Sequence, residues 1–393
     1  MRRIFALDDL EAAAARRLPR PLFRFIAGGS ETSGSLNANR QSYGEIFFKP
    51  RTLRDVGKRQ QAVELFGRRH AAPFGIAPMG AAALMGFDAD VAMARAAQAA
   101  GVPFILTSAA LTPLERVREA TGTGWFAGYL PADRERMGAL VDRVANAGYE
   151  VLVVTADVPV PANREQNLRS GFSVPLRLTP SLLLDGLMHP HWLVSTAART
   201  LWCHGVPHFE NFSASRGASM LAGPQAPDTS RARLTWDDLA WVRQRWSGPL
   251  IVKGILAPDD AVAARQAGAD GVIVSNHGGR QLDGAVAPLQ ALPSIVSVAG
   301  DMTVMIDGGL RRGTDVLKAL ALGADFVFLG RPFLYAAALA GEAGVAHAID
   351  LLSQEIDRDL ALLGCPDIAT LDARFLDGTF GREFSRPNTE TTR

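Results

Sequence analysis

Residues 275–284, Ser-Asn-His-Gly-Gly-Arg-Gln-Leu-Asp-Gly, have the types and spacing best suited to chemistry. His277 and Arg280 lie three residues apart, directly after the apolar run 271–274, which is typical of a buried parallel strand. The two glycines between them permit a tight turn and a close approach to a ligand. The pattern therefore predicts a base and an anion-binding guanidinium at the C-terminal end of a strand, where α/β enzymes hold their catalytic groups.

Three further charged residues follow other predicted strands and could join His277 at the same rim. Asp157 ends the fourth predicted strand and could orient the imidazole and stabilise its protonated form. Lys253 ends the fifth; the chain has four lysines against thirty-seven arginines, and an ammonium there could stabilise negative charge on a cofactor ring. Arg164 could converge with Arg280 on a carboxylate. On spacing alone, purely structural roles for His277, Lys253 and Arg164 stay open.

Glycine and arginine also follow the last two predicted strands. The seventh strand is followed by Asp307, Gly308, Gly309 and Arg311, and the eighth by Gly330 and Arg331. Backbone N–H groups exposed by the glycines, a helix N-terminus and two guanidinium groups would together bind a phosphate. The two runs predict the phosphate pocket that barrels form after strands seven and eight; two glycine turns with solvated arginines are the alternative.

The elements that must position these residues recur regularly along the chain. Short β-prone runs separated by helical segments occupy positions 74–77, 104–107, 125–130, 151–155, 250–253, 272–275, 303–306 and 326–329. Helix-start signals precede two of the helices, at residues 258–260 and 313–315, and the similar sequences at 267–270 and 322–325 mark the same helix-to-strand turn twice. Eight βα units favour a closed (β/α)8 barrel, the TIM barrel, over a doubly wound sheet.

The whole chain, residues 1–393, is predicted to be one domain. We expect a helical cap over 1–70, the barrel over 71–345 and a C-terminal helix and tail over 346–393. Almost a hundred residues separate the fourth strand from the fifth, which predicts an insertion at about 175–235. The middle of this insertion, 182–202, is apolar and aromatic.

Composition excludes several classes of protein. A net charge of +1 gives no sign of nucleic-acid binding. The two cysteines, Cys203 and Cys365, are too few for a disulfide framework or a thiolate metal site, which favours the cytoplasm, and we assign no metal. No apolar run reaches the roughly 18 residues that a transmembrane helix needs.

Together these residues resemble the FMN-dependent 2-hydroxy-acid dehydrogenase and oxidase family, which includes glycolate oxidase, L-lactate dehydrogenase and mandelate dehydrogenase. The resemblance runs from Leu18-Pro19 to residues 364–368, and the run 275–283 is highly specific to the family. It implies His277 as the base with Asp157 behind it, Tyr129 near the substrate oxygen, and Arg164 and Arg280 on the substrate carboxylate. It also implies an FMN site formed by Ala77, Pro78, Met79, Gly80, Thr107, Ala127, Thr155, Lys253 and Ser275, with the phosphate on Asp307, Gly308, Gly309, Arg311, Gly330 and Arg331.

Three positions depart from or vary within the family pattern. Phe25 stands where the family usually has a tyrosine that hydrogen-bonds the substrate carboxylate, and Ala127 stands where a glutamine usually holds the flavin ring. Ala109 lies where some members carry tryptophan. Fewer hydrogen bonds and more volume imply weaker binding of small hydroxy acids, or a larger or aryl-bearing substrate.

The resemblance implies FMN-dependent oxidation of an L-2-hydroxy acid, lactate-like or mandelate-like, to the 2-keto acid. A quinone or similar acceptor would take the electrons; an oxygen-using oxidase and a catalytically impaired flavin-binding homologue are the alternatives. The insertion resembles that of the membrane-associated members, so residues 182–202 could lie on the bilayer at the inner face of the cell membrane. A subunit contact or an active-site lid stays open for this segment, and the family suggests a homotetramer.

Overall fold

The computed structural model describes residue 1, residues 3–222 and residues 229–377. Residues 223–228 of the predicted insertion and residues 378–393 of the predicted tail lie outside the described residues.

Eight parallel strands form the barrel that the sequence predicted. They are β3 (Phe74–Ile76), β4 (Ile105–Thr107), β5 (Trp125–Gly128), β6 (Val151–Thr155), β7 (Leu250–Ile255), β8 (Gly271–Val274), β9 (Thr303–Asp307) and β10 (Phe326–Leu329). β3 pairs with β10, and each of the others pairs with its neighbour in sequence. A parallel bridge between Ile76 and Phe104 joins β3 to β4 and closes the ring. The fold class is confirmed, and every predicted strand lies within two residues of an observed one.

Side chains from the barrel strands fill its interior, so the barrel is a packed core rather than a pore. The inward-facing set includes Ile105, Trp125, Val151, Val153, Ile251, Ile273, Met305, Phe326 and Phe328. A short antiparallel hairpin of β1 (Val63–Leu65) and β2 (Arg68–His70) packs on this interior cluster through Leu65. The prediction of a helical cap up to residue 70 was therefore wrong for residues 63–70, because their apolar side chains close the N-terminal end of the barrel.

The helices fall into three groups. The cap contains α1 (Leu7–Arg17), α2 (Arg20–Ala27) and α3 (Gly34–Gly44). The segment between β6 and β7, which includes the predicted insertion, contains α7 (Glu165–Ser170), α8 (Pro180–Met188), α9 (Pro190–Trp192) and α10 (Arg199–His204), with a π-helical turn at Leu193–Ala198 joining the last two. The barrel helices are α4 (Ala89–Ala99), α5 (Leu114–Thr121), α6 (Arg134–Asn146), α11 (Trp236–Arg245), α12 (Pro258–Gln266), α13 (Pro288–Val298), α14 (Gly313–Ala321) and α15 (Arg331–Leu363).

The long helix α15 is kinked within its length. Its backbone leaves the helical conformation at Ala340 and Gly341, where Gly341 has φ +55°. Helix α15 packs against the N-terminal helix α1, whose apolar face of Leu7, Leu10 and Ala14 is buried. The first and last α-helices of the described residues therefore pack together.

The two similar helix-to-strand turns share one structural role. Asp270 precedes β8, and its carboxylate accepts a hydrogen bond from the N–H of Leu250 at 2.7 Å. Asp325 precedes β10, and its carboxylate accepts one from the N–H of Val304 at 2.8 Å. Each aspartate thus accepts a hydrogen bond from a backbone N–H near the start of the neighbouring strand.

Replacing Asp270 should lower the stability of the barrel. Asp270→Ala leaves the Leu250 N–H unpaired and also removes the 2.7 Å ion pair with Arg243, so we expect a cost of roughly 1–3 kcal/mol and a lower Tm. Asp259→Ala is the control, because that exposed aspartate in the first turn of α12 contributes only about 0.3–1 kcal/mol through the helix dipole. Equal shifts in thermal unfolding of the two variants would contradict the role given to Asp270.

Candidate active site

The loop after β8 has an unusual backbone conformation at His277. Three consecutive residues, His277, Gly278 and Gly279, have φ values of +58°, +65° and +72°. The glycines adopt this left-handed region freely, but a histidine is strained there. The His277 N–H donates a 3.0 Å hydrogen bond to the Ser275 hydroxyl, which holds the residue in place. The glycine pattern predicted a tight turn here but not that the histidine itself would be left-handed.

The His277 ring lies between a carboxylate and a phenol. Its Nδ1 is 3.1 and 3.2 Å from the two carboxylate oxygens of Asp157. Its Nε2 is 3.3 Å from the hydroxyl oxygen of Tyr129. A proton on Nδ1, donated to Asp157, leaves the Nε2 lone pair directed towards the pocket. This arrangement suits a general base oriented by a carboxylate.

Burial and charge set the protonation of this pair. Desolvation lowers the pKa of His277 below its ordinary 6.5, although the Asp157 charge opposes the shift. Desolvation alone would raise the pKa of Asp157, but the neighbouring His277 and Lys253 outweigh it and hold that pKa below its ordinary value. The geometry therefore favours a neutral imidazole beside an ionised carboxylate near neutral pH.

Lys253 connects the ends of three strands. Its buried ammonium on β7 lies 2.8 Å from the Ser275 hydroxyl beyond β8 and 3.1 Å from the Asp307 carboxylate on β9. Desolvation acts to lower the pKa of Lys253, but Asp307 and Asp157 outweigh it and raise that pKa. The side chain is therefore a permanent positive charge in the pocket wall.

Three arginines meet at the pocket from different elements. Arg280 Nη1 donates to the carbonyl oxygens of Phe25, Ile26 and Gly28, at 2.7, 3.2 and 2.8 Å. Arg331 donates to Ile26, Gly28 and Gly278, and Arg164 to the Arg280 carbonyl and the Gln281 side chain. Desolvation and mutual repulsion lower the pKa of Arg280 well below its ordinary value.

The loop after β9 lies against cap helix α3. Gly308 and Gly309 have φ values of +101° and +89°, and a side chain at Gly309 would lie 2.2 Å from the Asn39 carbonyl oxygen. Arg311 is buried beside them. Asp307 keeps one carboxylate oxygen, Oδ1, buried without a hydrogen-bond partner among the described residues. The loop thus brings together the backbone of the two glycines, the guanidinium group of Arg311 and the carboxylate oxygen of Asp307 that lacks a described hydrogen-bond partner.

The structure places the other predicted residues in two groups. Ala77, Pro78, Met79, Gly80 and Gly330 line the same pocket as His277, together with Ala109. Thr107, Ala127, Thr155 and Ser275 are buried behind the pocket wall, and Ala127 belongs to the apolar interior of the barrel. Thr155 pairs in register with Lys253, which lines the pocket, and Thr107 pairs in register with Ala127.

Sequence reasoning missed the residues that attach the cap to the loop after β8. Asn39 and Asn276 exchange two amide hydrogen bonds of 2.7 Å. The Asp283 carboxylate accepts from the Thr32 side chain at 2.5 Å and from the N–H groups of Thr32 and Ser35, which lowers the pKa of Asp283 to about 2. The sequence signal was present, because Asp283 lies in the same conspicuous run as His277. We find no cluster of metal-ligating side chains in the described part of the chain.

Aromatic side chains from the insertion form a roof over the site. The rings of Phe25 and Phe172 are 4.5 Å apart, and those of Tyr129 and Phe212 are 6.1 Å apart. The Arg231 guanidinium lies 5.3 Å from the centre of the Tyr129 ring. The insertion therefore contributes to the active-site surroundings as well as to the protein surface.

Comparison with known proteins identifies the family. The model of the FMN-dependent dehydrogenase family matches residues 14–378. This chain belongs to that family. It is 39% identical to (S)-mandelate dehydrogenase of Pseudomonas putida, over 95% of this chain and 94% of that protein. It is 40% identical to L-lactate dehydrogenase of Pectobacterium atrosepticum, over 94% and 95%.

Solved structures agree with this FMN-dependent dehydrogenase assignment. The crystal structure of the monotopic membrane protein (S)-mandelate dehydrogenase matches with a TM-score of 0.86 at 36% identity, over 95% of this chain and 99% of that one. A mandelate oxidase crystallised with 3,3-difluoro-2-hydroxy-3-phenylpropionic acid matches with a TM-score of 0.78 at 38% identity, over 95% and 98%. FMN is the cofactor of this family, and the predicted cofactor is confirmed.

The pocket fits FMN on its own chemistry. Arg311 and Arg331 are buried at the glycine-rich end, and neither forms an ion pair with a carboxylate among the described residues. Burial lowers the pKa of Arg331 to about 10, so a phosphate there would relieve an uncompensated positive charge. The unpaired Oδ1 of Asp307 would accept from a hydroxyl group of the ribityl chain.

A side chain at Gly309 should weaken FMN binding. Gly309→Ala places a methyl group in a left-handed conformation against the Asn39 carbonyl, so the phosphate loop must shift, and we expect at least about tenfold weaker FMN binding. Gly284→Ala is the matched control, because Gly284 has φ +81° but open space around its would-be side chain. FMN titration of the two apoproteins measures the effect, and equal affinities would rule out this role for the close contact.

Proposed function

We propose that the protein oxidises an L-2-hydroxy acid to the 2-keto acid. The observation that carries the proposal is the His277 ring, held by Asp157 with its Nε2 next to Tyr129, in one pocket with Arg164 and Arg280. A base beside two guanidinium groups suits a substrate that carries both a hydroxyl group and a carboxylate. The named activities of the mandelate and lactate dehydrogenase relatives support the same chemistry.

In this mechanism the protein positions the substrate and moves a proton. His277 Nε2 removes a proton from the substrate hydroxyl group or from Cα, and Asp157 stabilises the resulting imidazolium. Tyr129 donates a hydrogen bond to the substrate oxygen, and Lys253 keeps a positive charge in the wall of the cofactor pocket. FMN, when bound, supplies the two-electron acceptor for the reaction.

Arg280 retains donors for a carboxylate. Its three hydrogen bonds to cap carbonyls all come from Nη1, and Nη2 and Nε make none among the described residues. These two remaining groups form one side of the guanidinium fork and can bind both oxygens of a carboxylate. Arg164, whose pKa is lowered by burial, would add a second positive charge to the same carboxylate.

The surroundings of the site favour an aryl-bearing, mandelate-like substrate over lactate. Phe25 offers no hydroxyl group to a carboxylate, and its ring packs on Phe172 as part of an apolar wall. Ala109 lines the pocket with a single methyl group against Gly80, which leaves room for substrate bulk. An apolar wall rewards the burial of an aromatic ring more than that of a methyl group.

The insertion supports association with a membrane surface and therefore a quinone acceptor. None of the helices in the described residues has the length and hydropathy needed to cross a bilayer. Large apolar side chains are nevertheless exposed along α8 to α10: Leu183, Leu184, Leu187, Met188, Val194, Leu201 and Trp202. Apolar side chains grouped on one surface in this way are typical of an interaction site. We propose that they enter the interface of the inner face of the cell membrane; assembly as a homotetramer stays a prediction.

Replacing the base tests the chemistry directly. His277→Gln should retain FMN, because the imidazole contacts Asp157 and Tyr129 rather than the phosphate loop, while flavin bleaching by substrate slows by at least about 10²–10⁴-fold. The measurement is anaerobic mixing of the yellow protein with L-mandelate, L-lactate, glycolate and long-chain hydroxy acids. Rapid bleaching of the His277→Gln variant would contradict the assignment of His277 as the base. If none of these acids bleached the parent protein, the proposed function would be wrong.

Removing exposed apolar groups tests membrane association. The double variant Leu187→Ser and Trp202→Ser loses two side chains that are 64% and 92% exposed, and should partition at least about tenfold less into sedimented phospholipid vesicles. Leu362→Ser, 69% exposed on α15, is the control and should behave like the parent. Unchanged sedimentation of the double variant would show that this surface has another purpose, such as a subunit contact or a lid.

A further inference from the structure

A second cavity lies between the insertion and the barrel, separate from the pocket of His277. It encloses about 410 Å³, within the roughly 300–1,000 Å³ typical of ligand sites. Its walls come from α10 and from the loops that follow β3 and β4, and include Ala83, Leu111, Thr112, Thr200 and His204. None of the steps proposed above uses this cavity.

The two cavities share one wall. Gly80 and Ala109 line the active-site pocket, whereas Ala83 and Leu111, two or three residues further along the same segments, line the second cavity. The segments are hydrogen-bonded to each other from Ala81 N–H to Ala109 carbonyl at 3.0 Å. Three residues span at most about 11 Å, so the lining residues of the two cavities on these segments are separated by only a short stretch of chain.

The charges around the second cavity compensate each other. The Asp88 carboxylate lies 2.5 Å from Arg116 and 3.1 Å from His204, and Glu210 lies 2.9 Å from Arg216. Each carboxylate therefore already has a cationic partner, and little net charge remains for an ionic ligand. This is the opposite of the active-site pocket, and it favours a neutral occupant.

The second cavity also offers hydrogen-bonding groups. The Thr200 hydroxyl is buried and has no hydrogen-bond partner among the described residues. Thr112 donates a 2.9 Å hydrogen bond to the buried Asp90, whose other carboxylate oxygen is also without a described partner. Desolvation raises the pKa of Asp90 to about 7, so this carboxyl group can exchange a proton near neutral pH.

The outer side of the second cavity adjoins the exposed apolar surface of α8 to α10. Thr200 faces the cavity, and the next two residues, Leu201 and Trp202, are 53% and 92% exposed. His204 is held against the barrel by stacking on Phe87, at 5.3 Å between ring centroids. A ligand that travels in the bilayer would therefore meet α10 first and the cavity directly behind it.

We propose that the second cavity binds the head group of a membrane quinone, which takes the electrons released from the hydroxy acid. The inference rests on the proposed function and identifies its acceptor site. Each turnover removes two electrons and two protons from the substrate. The quinone gains two electrons across the shared wall and two protons, and so becomes the quinol. Thr200 donates a hydrogen bond to a quinone carbonyl. Asp90 supplies the two protons one after the other through Thr112, and it takes up a proton from solvent after each transfer.

The test separates quinone reduction from substrate oxidation. The holoenzyme is reduced anaerobically by light and EDTA, without any hydroxy acid, and then mixed with a ubiquinone that carries one isoprenyl unit. Ala83→Phe fills the cavity and should slow recovery of the flavin absorbance at least tenfold; Thr200→Val should weaken quinone binding severalfold in equilibrium dialysis. Thr196→Val is the matched control, since Thr196 is buried on the same helical segment but does not line the cavity. Reoxidation by ferricyanide should be unchanged in all three variants.

Two results would overturn the proposal. One is parent-like reoxidation and quinone binding in both Ala83→Phe and Thr200→Val. The other is competition between saturating benzoylformate and the quinone, which would place the quinone in the substrate pocket. Failure of the proposed function would give a different result. The quinone would still reoxidise the light-reduced flavin, but no hydroxy acid would bleach the oxidised flavin.

Discussion

An excess of buried positive charge at the C-terminal end of the barrel must be compensated, and the surrounding loops and cap are arranged to do so. Five cationic side chains converge on one pocket, where Asp307 pairs with Lys253 and Asp157 pairs with His277: Lys253, Arg164, Arg280, Arg311 and Arg331. Each buried ion costs several kcal/mol unless charges or dipoles compensate it. Part of the compensation is internal, through Asp307 on Lys253 and through main-chain carbonyls on Arg280 and Arg331. The remaining positive charge would be compensated by an FMN phosphate and a substrate carboxylate. Ligand binding would therefore complete the charge compensation that begins with folding.

The cap takes part in compensating these buried positive charges. The carbonyl oxygens of Phe25, Ile26 and Gly28 at the end of α2 are the acceptors for Arg280 and Arg331. Asn39 on α3 holds the loop after β8 through Asn276, and its own carbonyl closes over Gly309 of the loop after β9. The cap therefore helps to position both loops: α2 and α3 hold the catalytic loop, and α3 also contacts the phosphate loop.

The sequence predicted those parts of the molecule whose determinants are local. Strand and helix positions follow from short apolar runs and from Pro258 or Gly313 at helix starts. The residues around His277 lie together because, in a parallel barrel, all residues that directly follow a strand lie at the same end. Long-range partners were beyond such reasoning. The pairing of Asn39 with Asn276 joins residues 237 positions apart, and nothing in the local sequence of either residue identifies the other as its partner. The hairpin at 63–70 was missed because its burial depends on a barrel end that no local pattern reveals.

The packing of α1 on α15 affects how the chain folds during synthesis. During synthesis on the ribosome, the apolar face of Leu7, Leu10 and Ala14 leaves the exit tunnel long before its partner helix is translated. Until then these side chains have nothing to cover them, and contacts between such distant segments form late. Chaperone dependence during expression should therefore originate at the amino-terminal helix, although the barrel core is built from neighbouring strands that can pair as they emerge.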